Sequence, residues 1–157
     1  MLAENIMLTN FVAAHVDECV SDVVDRMRAE KLRMLPVLTD EGVVVGVIST
    51  FSLLEYIVPD YIASGDLNAI AYAPDMGVLR KHYHQAAKGK VSAIMDKNPL
   101  LVGHDESLLS TSAALVTFNK HEYALVVDDK HRLTGIISAG DILDRLRNMV
   151  ESIENDA

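Results

Sequence analysis

Ser138 and Asp141 carry the chemistry that this chain could do. They stand three apart in Gly135-Ile136-Ile137-Ser138-Ala139-Gly140-Asp141, where a strand-like run gives way to a helix-like one. Backbone N–H groups at a helix start lack partners within the helix and favour phosphate. A Ser there adds a donor, and a carboxylate one turn in can accept from a pair of hydroxyls. A phosphate site beside a hydroxyl-pair acceptor is what a nucleotide asks for. The same residues also read as an N-cap Ser and a first-turn Asp that only stabilise the helix.

The elements that must position them run in short order. Leu125 to Asp128 is an apolar run that reads as a buried strand. Asp129-Lys130-His131 is a polar turn, Leu133 to Ile137 a second strand, and Asp141 to Val150 a helix. This pattern occurs twice. A shift of 89 positions lays Gly46-Val47-Ile48-Ser49-Thr50-Phe51-Ser52 on Gly135 to Asp141. Over 15–57 against 104–146, 9 of 43 pairs are identical, among them Gly46/Gly135, Ile48/Ile137 and Ser49/Ser138. Ile6-Met7 answers Ile94-Met95 if one residue is gapped. Two copies make a pseudo-symmetric pair and not a solenoid.

Each copy resembles a CBS motif, the repeat named after cystathionine β-synthase, and the chain is similar to a tandem CBS pair. The carrying features are Ile-Met near each start, an amphipathic helix, and Leu35-Pro36-Val37-Leu38-Thr39-Asp40-Glu41-Gly42 or Ala124-Leu125-Val126-Val127-Asp128-Asp129. Gly-x-Ile-Ser and a helix follow. The resemblance implies a mixed α+β / α/β fold. Two β-α-β-β-α repeats would pack as one module in a disc-like homodimer. Its boundaries are repeat 1 over 1-59, a helical insert over 60-90, repeat 2 over 91-152 and a tail over 153-157.

The resemblance further implies a regulatory module that binds an adenosine ligand (AMP, ADP, ATP or S-adenosylmethionine) in clefts between the repeats and relays this to an effector protein. Asp141 would hold the ribose hydroxyls and Ser138 would face phosphate. Adenine would rest on backbone and apolar residues, with Gly135 and Ile136 from the hairpin and Phe11 and Val12 from the other leading strand. Arg33 and Met34, or Glu122 and Tyr123, stand where family members place phosphate-facing residues. Only Arg33 is basic, which leaves the phosphate preference open. In the first repeat Ser52 replaces the Asp, beside Ser49. A neutral, short hydroxyl cannot accept two ribose hydroxyls as a carboxylate can. One competent and one degraded site are therefore expected.

Composition bounds the alternatives. The chain has 157 residues, 50% apolar, with no Trp and a net charge of −9. Such acidity disfavours nucleic acid and anionic membrane as partners. Cys19 is the single cysteine, which fits a reducing compartment. With no signal-like N-terminus and no run of ~18 apolar residues, a cytoplasmic chain with no membrane span is expected. No nucleophile–base pair, metal cluster, Walker loop or Rossmann loop is present, so the reading is not an enzyme. A dimerising scaffold with vestigial clefts is the alternative.

The remaining expectations concern packing. The first helix would bury Val20, Val23, Val24 and Met27, and leave Asp22, Asp25, Arg26, Arg28 and Glu30 as solvated surface. Pro59 would end a helix over Thr50 to Val58. In the insert, Asp66 to Tyr72 and Asp75 to Ala87 read as helices separated by Pro74. Arg80-Lys81-His82-Tyr83-His84 is the most basic stretch and reads as a surface helix or a partner-docking face. Two His without a third ligand do not make a metal site. In the second repeat, a helix over Ser107 to Asn119 would turn Leu109, Ala113 and Val116 inward. The last helix carries Ile142, Leu143, Leu146, Met149 and Val150. That wide apolar face reads as a dimer interface or as packing within the unit.

Overall fold

The computed structural model describes residues 1–60 and 76–157. The expected helix over Asp66 to Tyr72 lies outside them. The chain forms two compact units that cut across the two sequence copies. The central unit comprises Ala13–Thr39 and Val45–Lys97. The C-terminal unit comprises Met1–Val12, Asp40–Val44 and Asn98–Ala157.

In the central unit, β1 (Ala14–His15), β2 (Met34–Leu38) and β3 (Val44–Ser49) form a sheet in the order β1-β2-β3. β1 runs parallel to β2, with Ala14 opposite Val37. A parallel pair needs a crossover, and α1 (Val20–Ala29) supplies it. Val20, Val23 and Met27 are buried, at the three- and four-residue spacing expected of a core-facing stripe. Val24 is only half-buried. Gly42 closes the hairpin turn with φ 81, which suits a residue without a Cβ. α2 (Thr50–Ile57), α3 (Met76–Ala87) and the short α4 (Val91–Ile94) complete the unit.

The C-terminal unit repeats the plan. β4 (Leu101–Gly103), β5 (Tyr123–Val127) and β6 (Leu133–Ser138) form the sheet, with β4 parallel and β6 antiparallel to β5. α5 (Leu108–Phe118) is the crossover, and α6 (Ala139–Asp156) follows β6. The last helix thus runs through residues expected as a tail. Val102, Leu115, Ala124, Val126, Ile137 and Ile142 form the core, together with Ala3 from the chain start.

Each unit takes its leading segment from the other sequence copy. Leu8 pairs with Ile136 at the free edge of β6, through N–H to O distances of 2.8 and 3.0 Å. In the central unit, Val47 and Asp96 make the same exchange at 2.9 and 2.8 Å. Glycine makes this approach possible. A Cβ on Gly135 would lie 2.6 Å from Met7 Sδ and 2.9 Å from Met7 Cβ. One on Gly46 would lie 2.6 Å from the Asp96 carbonyl and 2.9 Å from Met95 Sδ.

Two expectations are corrected. Leu109 and Val116 are 81% and 79% exposed, and Ala113 is exposed too. The buried residues of α5 are Thr111 and Leu115. The repeat offset is 88 through this helix, where Ser107 answers Cys19 as N-cap, and becomes 89 only at the hairpin. The extra residue falls between Asn119 and Tyr123, so carrying 89 into the helix turns its face by one residue. Apolar pairs such as Leu108-Leu109 and Leu115-Val116 offered a plausible stripe in either phase.

The second correction is Arg26, which is not plain solvated surface. Its guanidinium pairs with both Glu18 oxygens at 2.6 and 2.9 Å and donates to the Ala13 carbonyl at 2.9 Å. Glu18 also accepts from the His15 N–H at 2.8 Å. The fork ties the start of β1 to the crossover helix. The hydrogen bond from Arg26 holds the Glu18 carboxyl below its ordinary value, against the opposing effect of burial.

Two predictions follow from this packing. Gly135→Ala and Gly46→Ala should each cost about 1–3 kcal/mol by overpacking, read from urea midpoints. Gly46→Ala should cost more, because a backbone carbonyl yields less than a thioether. The reverse order would count against the docking account. For Glu18, a depressed folded pKa means that the stabilisation is present above the unfolded value of about 4.5 and fades as pH falls through the folded value. Glu18→Gln should lack this part of the acid limb in urea midpoints stepped from pH 6 to pH 3. Parallel limbs would refute it.

Candidate functional site

The Ser138 junction is built by the β5–β6 ladder. Tyr123 lies opposite Ser138, and Leu125 opposite Ile136. Strand alternation puts Tyr123, Leu125, Ile136 and Ser138 on one face of the sheet. Ala124, Val126 and Ile137 take the other face, against the helices. The first α6 N–H, from Ala139, donates to the Glu122 carbonyl at 3.1 Å.

Ser138 and Asp141 make a reciprocal cap. Ser138 Oγ accepts from the Asp141 N–H at 3.0 Å, and Asp141 Oδ2 accepts from the Ser138 N–H at 2.8 Å. This capping box satisfies two helix-start donors. It uses one carboxylate oxygen. Asp141 Oδ1 makes no hydrogen bond among the described residues. Asp141 is half-buried, and the bond from the Ser138 N–H to Oδ2 restrains how its carboxylate can turn.

The first copy uses the same device with different capacity. Ser49 Oγ accepts from the Ser52 N–H at 2.9 Å, and Ser52 Oγ accepts from the Ser49 N–H at 2.8 Å. Ser52 Oγ then donates its proton to the Ser49 carbonyl at 3.0 Å. Its donor is spent within the turn, and one lone pair is occupied. Arg33 adjoins this second junction, because its carbonyl accepts from the Thr50 N–H at 2.9 Å, as the Glu122 carbonyl does from Ala139. The Arg33 side chain is exposed.

The candidate residues therefore divide. Ser138, Asp141, Ile136 and Tyr123 gather at one junction in the C-terminal unit, while Ser49, Ser52 and Arg33 gather at the corresponding one in the central unit. Gly135 is buried, and its Cβ direction is filled by Met7, so only its backbone is left to a ligand. Phe11 and Val12 are half-buried at the end of the C-terminal unit's leading segment. Sequence reasoning passed over a pocket of about 400 Å³ beside α5 and α6, lined by Leu115, Val116, Asn119, Lys120, His121, Glu122 and Ala139. Neither Ser138 nor Asp141 lines it. Its corner is the segment that holds the extra residue. The corresponding pocket in the central unit, lined by Met27, Leu32 and Thr50 among others, has about 160 Å³. The broken repeat offset was the signal that could have found it.

The CBS domain family profile matches residues 3–59 and 91–148. This chain belongs to the CBS domain family. Among its relatives, protein MJ1426 of Methanocaldococcus jannaschii is 28% identical over 93% of this chain and 91% of its own. CBSX2 of Arabidopsis thaliana is 29% identical over 87% of this chain and 58% of its own. The crystal structure of CBSX2 in complex with AMP superposes with a TM-score of 0.71 at 22% identity, covering 94% of this chain and 97% of that one. The CBS domain pair of protein MJ0100, in complex with 5'-methylthioadenosine and S-adenosyl-L-methionine, gives 0.66 at 19% identity, over 95% and 98%. These likenesses establish the CBS-pair fold: two repeats, each with a three-stranded sheet and helices.

Proposed function

We propose that this CBS pair is a regulatory module that senses an adenosine ligand at the Ser138–Asp141 junction and relays its binding to a partner protein. The observation that carries this reading is the uncommitted Oδ1 of Asp141 at a capped helix start. A restrained carboxylate oxygen suits ribose hydroxyls. The α6 N-terminus beside it suits phosphate or another anionic group. Ile136, the Gly135 backbone, Phe11 and Val12 would contact adenine, and Tyr123 and Ser138 would flank the ribose-phosphate. The AMP of CBSX2 and the two adenosine compounds of MJ0100 support the ligand class. AMP, ADP, ATP and S-adenosylmethionine are the candidates. The Ser52 junction, with its hydroxyl turned back on the chain, is the degraded site.

The scaffold reading keeps one specific support. The capping box gives Ser138 and Asp141 a complete structural task without any ligand. Binding decides between them. A ligand that binds only the folded chain adds about 2.7 kcal/mol of stability at one hundred times its dissociation constant. A thermal-shift screen with AMP, ADP, ATP, NAD and S-adenosylmethionine should show such a rise for an adenosine compound. No shift with any of the five would favour the scaffold. Hydrogen bonds to a charged acceptor contribute about 1.5–3 kcal/mol, so Asp141→Ala should weaken binding by roughly 10- to 150-fold in titration calorimetry. Ser52→Ala should leave it nearly unchanged. Asp141→Ala also opens the cap, at up to about 1 kcal/mol of stability, which a parallel denaturation curve separates from lost binding. Equal loss in both variants would put the ligand at the wrong junction.

The reading includes a homodimer. Leu143, Leu146, Met149, Val150 and Ile153 on α6 are 44–69% exposed, and Leu109 and Val116 on the neighbouring α5 are more so. Water is a poor partner for so wide an apolar face. Light scattering at micromolar concentration should give twice 17.2 kDa. Leu146→Glu with Val150→Glu should shift it to the single mass. A single mass for the unaltered chain would refute the dimer.

A further inference from the structure

Residues 76 to 95 hold no Asp or Glu, although the whole chain has 23 and a net charge of −9. The stretch contains Arg80, Lys81, Lys88 and Lys90, with His82 and His84. It comprises α3, the Lys88-Gly89-Lys90 turn and α4. Arg80, Lys81, His84 and Lys88 are all exposed; the first three lie along one side of α3 by their spacing of three and four, and Lys88 follows at the residue after its end. The opposite side faces inward: Ala86 is 3% exposed, and His82 Nδ1 lies 2.9 Å from the Ile57 carbonyl oxygen.

This basic stripe is rigidly mounted. Cys19 Sγ donates to the Ala87 carbonyl at 3.1 Å, and the Val20 N–H donates to the Gly89 carbonyl at 2.9 Å. Cys19 and Lys90 form a bridge of their own. Lys90 reaches Asp17 at 3.8 Å, with both side chains about two-thirds exposed. Arg80, Lys81 and Lys88 form no ion pair among the described residues. Three cations that pair with no carboxylate among the described residues, two on α3 and one just past its end, form a local positive field in a chain otherwise rich in carboxylates.

We propose that this face of α3 docks an acidic segment of a partner protein, separate from the nucleotide junction and independent of that reading. The partner is one short, Asp/Glu-rich stretch. Arg80 to Lys88 spans about 12 Å along the helix, the reach of a few carboxylates. Size and charge together select this class. Screening confines the patch's field to about 8 Å at physiological salt. A duplex or an anionic bilayer is broader than the stripe and would reach beyond it to a chain whose net charge is −9. A single acidic segment meets only the stripe.

The test uses the full chain and a fluorescein-labelled decapeptide of glutamate, followed by anisotropy at 50 and 300 mM salt. The unaltered chain should bind it, more weakly at high salt, and a glutamine decapeptide should not bind. Arg80→Glu with Lys81→Glu and Lys88→Glu should weaken binding at least 10-fold. The milder Arg80→Gln with Lys81→Gln should weaken it by less, with an unchanged melting temperature. That second variant keeps the test decisive if charge reversal disturbs folding. The proposal is overturned by absence of binding, by equal binding of the glutamine peptide, or by variants that bind as the unaltered chain does. Tighter binding to duplex DNA or to phosphatidylserine vesicles would also overturn it, as would stripe-dependent self-association that excludes the peptide.

Discussion

A methionine resting on a glycine closes each unit. Met7 covers Gly135, and Met95 covers Gly46 while the Asp96 carbonyl presses on the same spot. In each case the thioether comes from one sequence copy and the glycine from the other. The contact fixes the edge pairing of Leu8 with Ile136 and of Val47 with Asp96. That pairing extends β6 or β3 and sets the phase of the strand that ends in the capped serine. A Cβ at either glycine would force Met7, or Met95 and the Asp96 carbonyl, to shift and would loosen the edge pairing. Methionine suits the place, since an unbranched, polarizable side chain fills an irregular gap against bare backbone.

Much of this was legible in the residues. The doubled hairpins, the Gly-x-Ile-Ser junctions and the paired Ile-Met turns all lie where their local chemistry put them. Alternating apolar strands and a polar turn with Gly42 leave little choice. The phase of α5 was not legible, because that helix is apolar almost all round and its reference copy was one residue out of step. Arg26 was not legible either. A charged residue on a polar helix face gives no sign that Glu18, eight positions earlier, returns to meet it. The exchange of leading segments left no mark in the repeat, since the offset of 88 that links Ile6-Met7 to Ile94-Met95 runs on unbroken into α5.

The two junctions use one local device with two different third residues. Ser at the cap and an acceptor at the third helical position satisfy the same backbone donors in both copies. With serine as the acceptor, the group also has a proton to place, and it gives that proton to the nearest carbonyl. With aspartate there is no such proton, and one oxygen remains beyond the needs of the cap. A change of one side chain thus separates a closed turn from an open one at nearly constant backbone geometry.

The exchange of leading segments bears on how the protein is made. Thr134 and Met7, which touch in the finished fold, lie 127 positions apart. The first dozen residues leave the ribosome long before β6 exists. At about 5–20 residues per second, they wait on the order of ten seconds for the edge they complete. The long closure also raises the contact order of the C-terminal unit, which slows folding relative to a chain whose neighbours in space are neighbours in sequence.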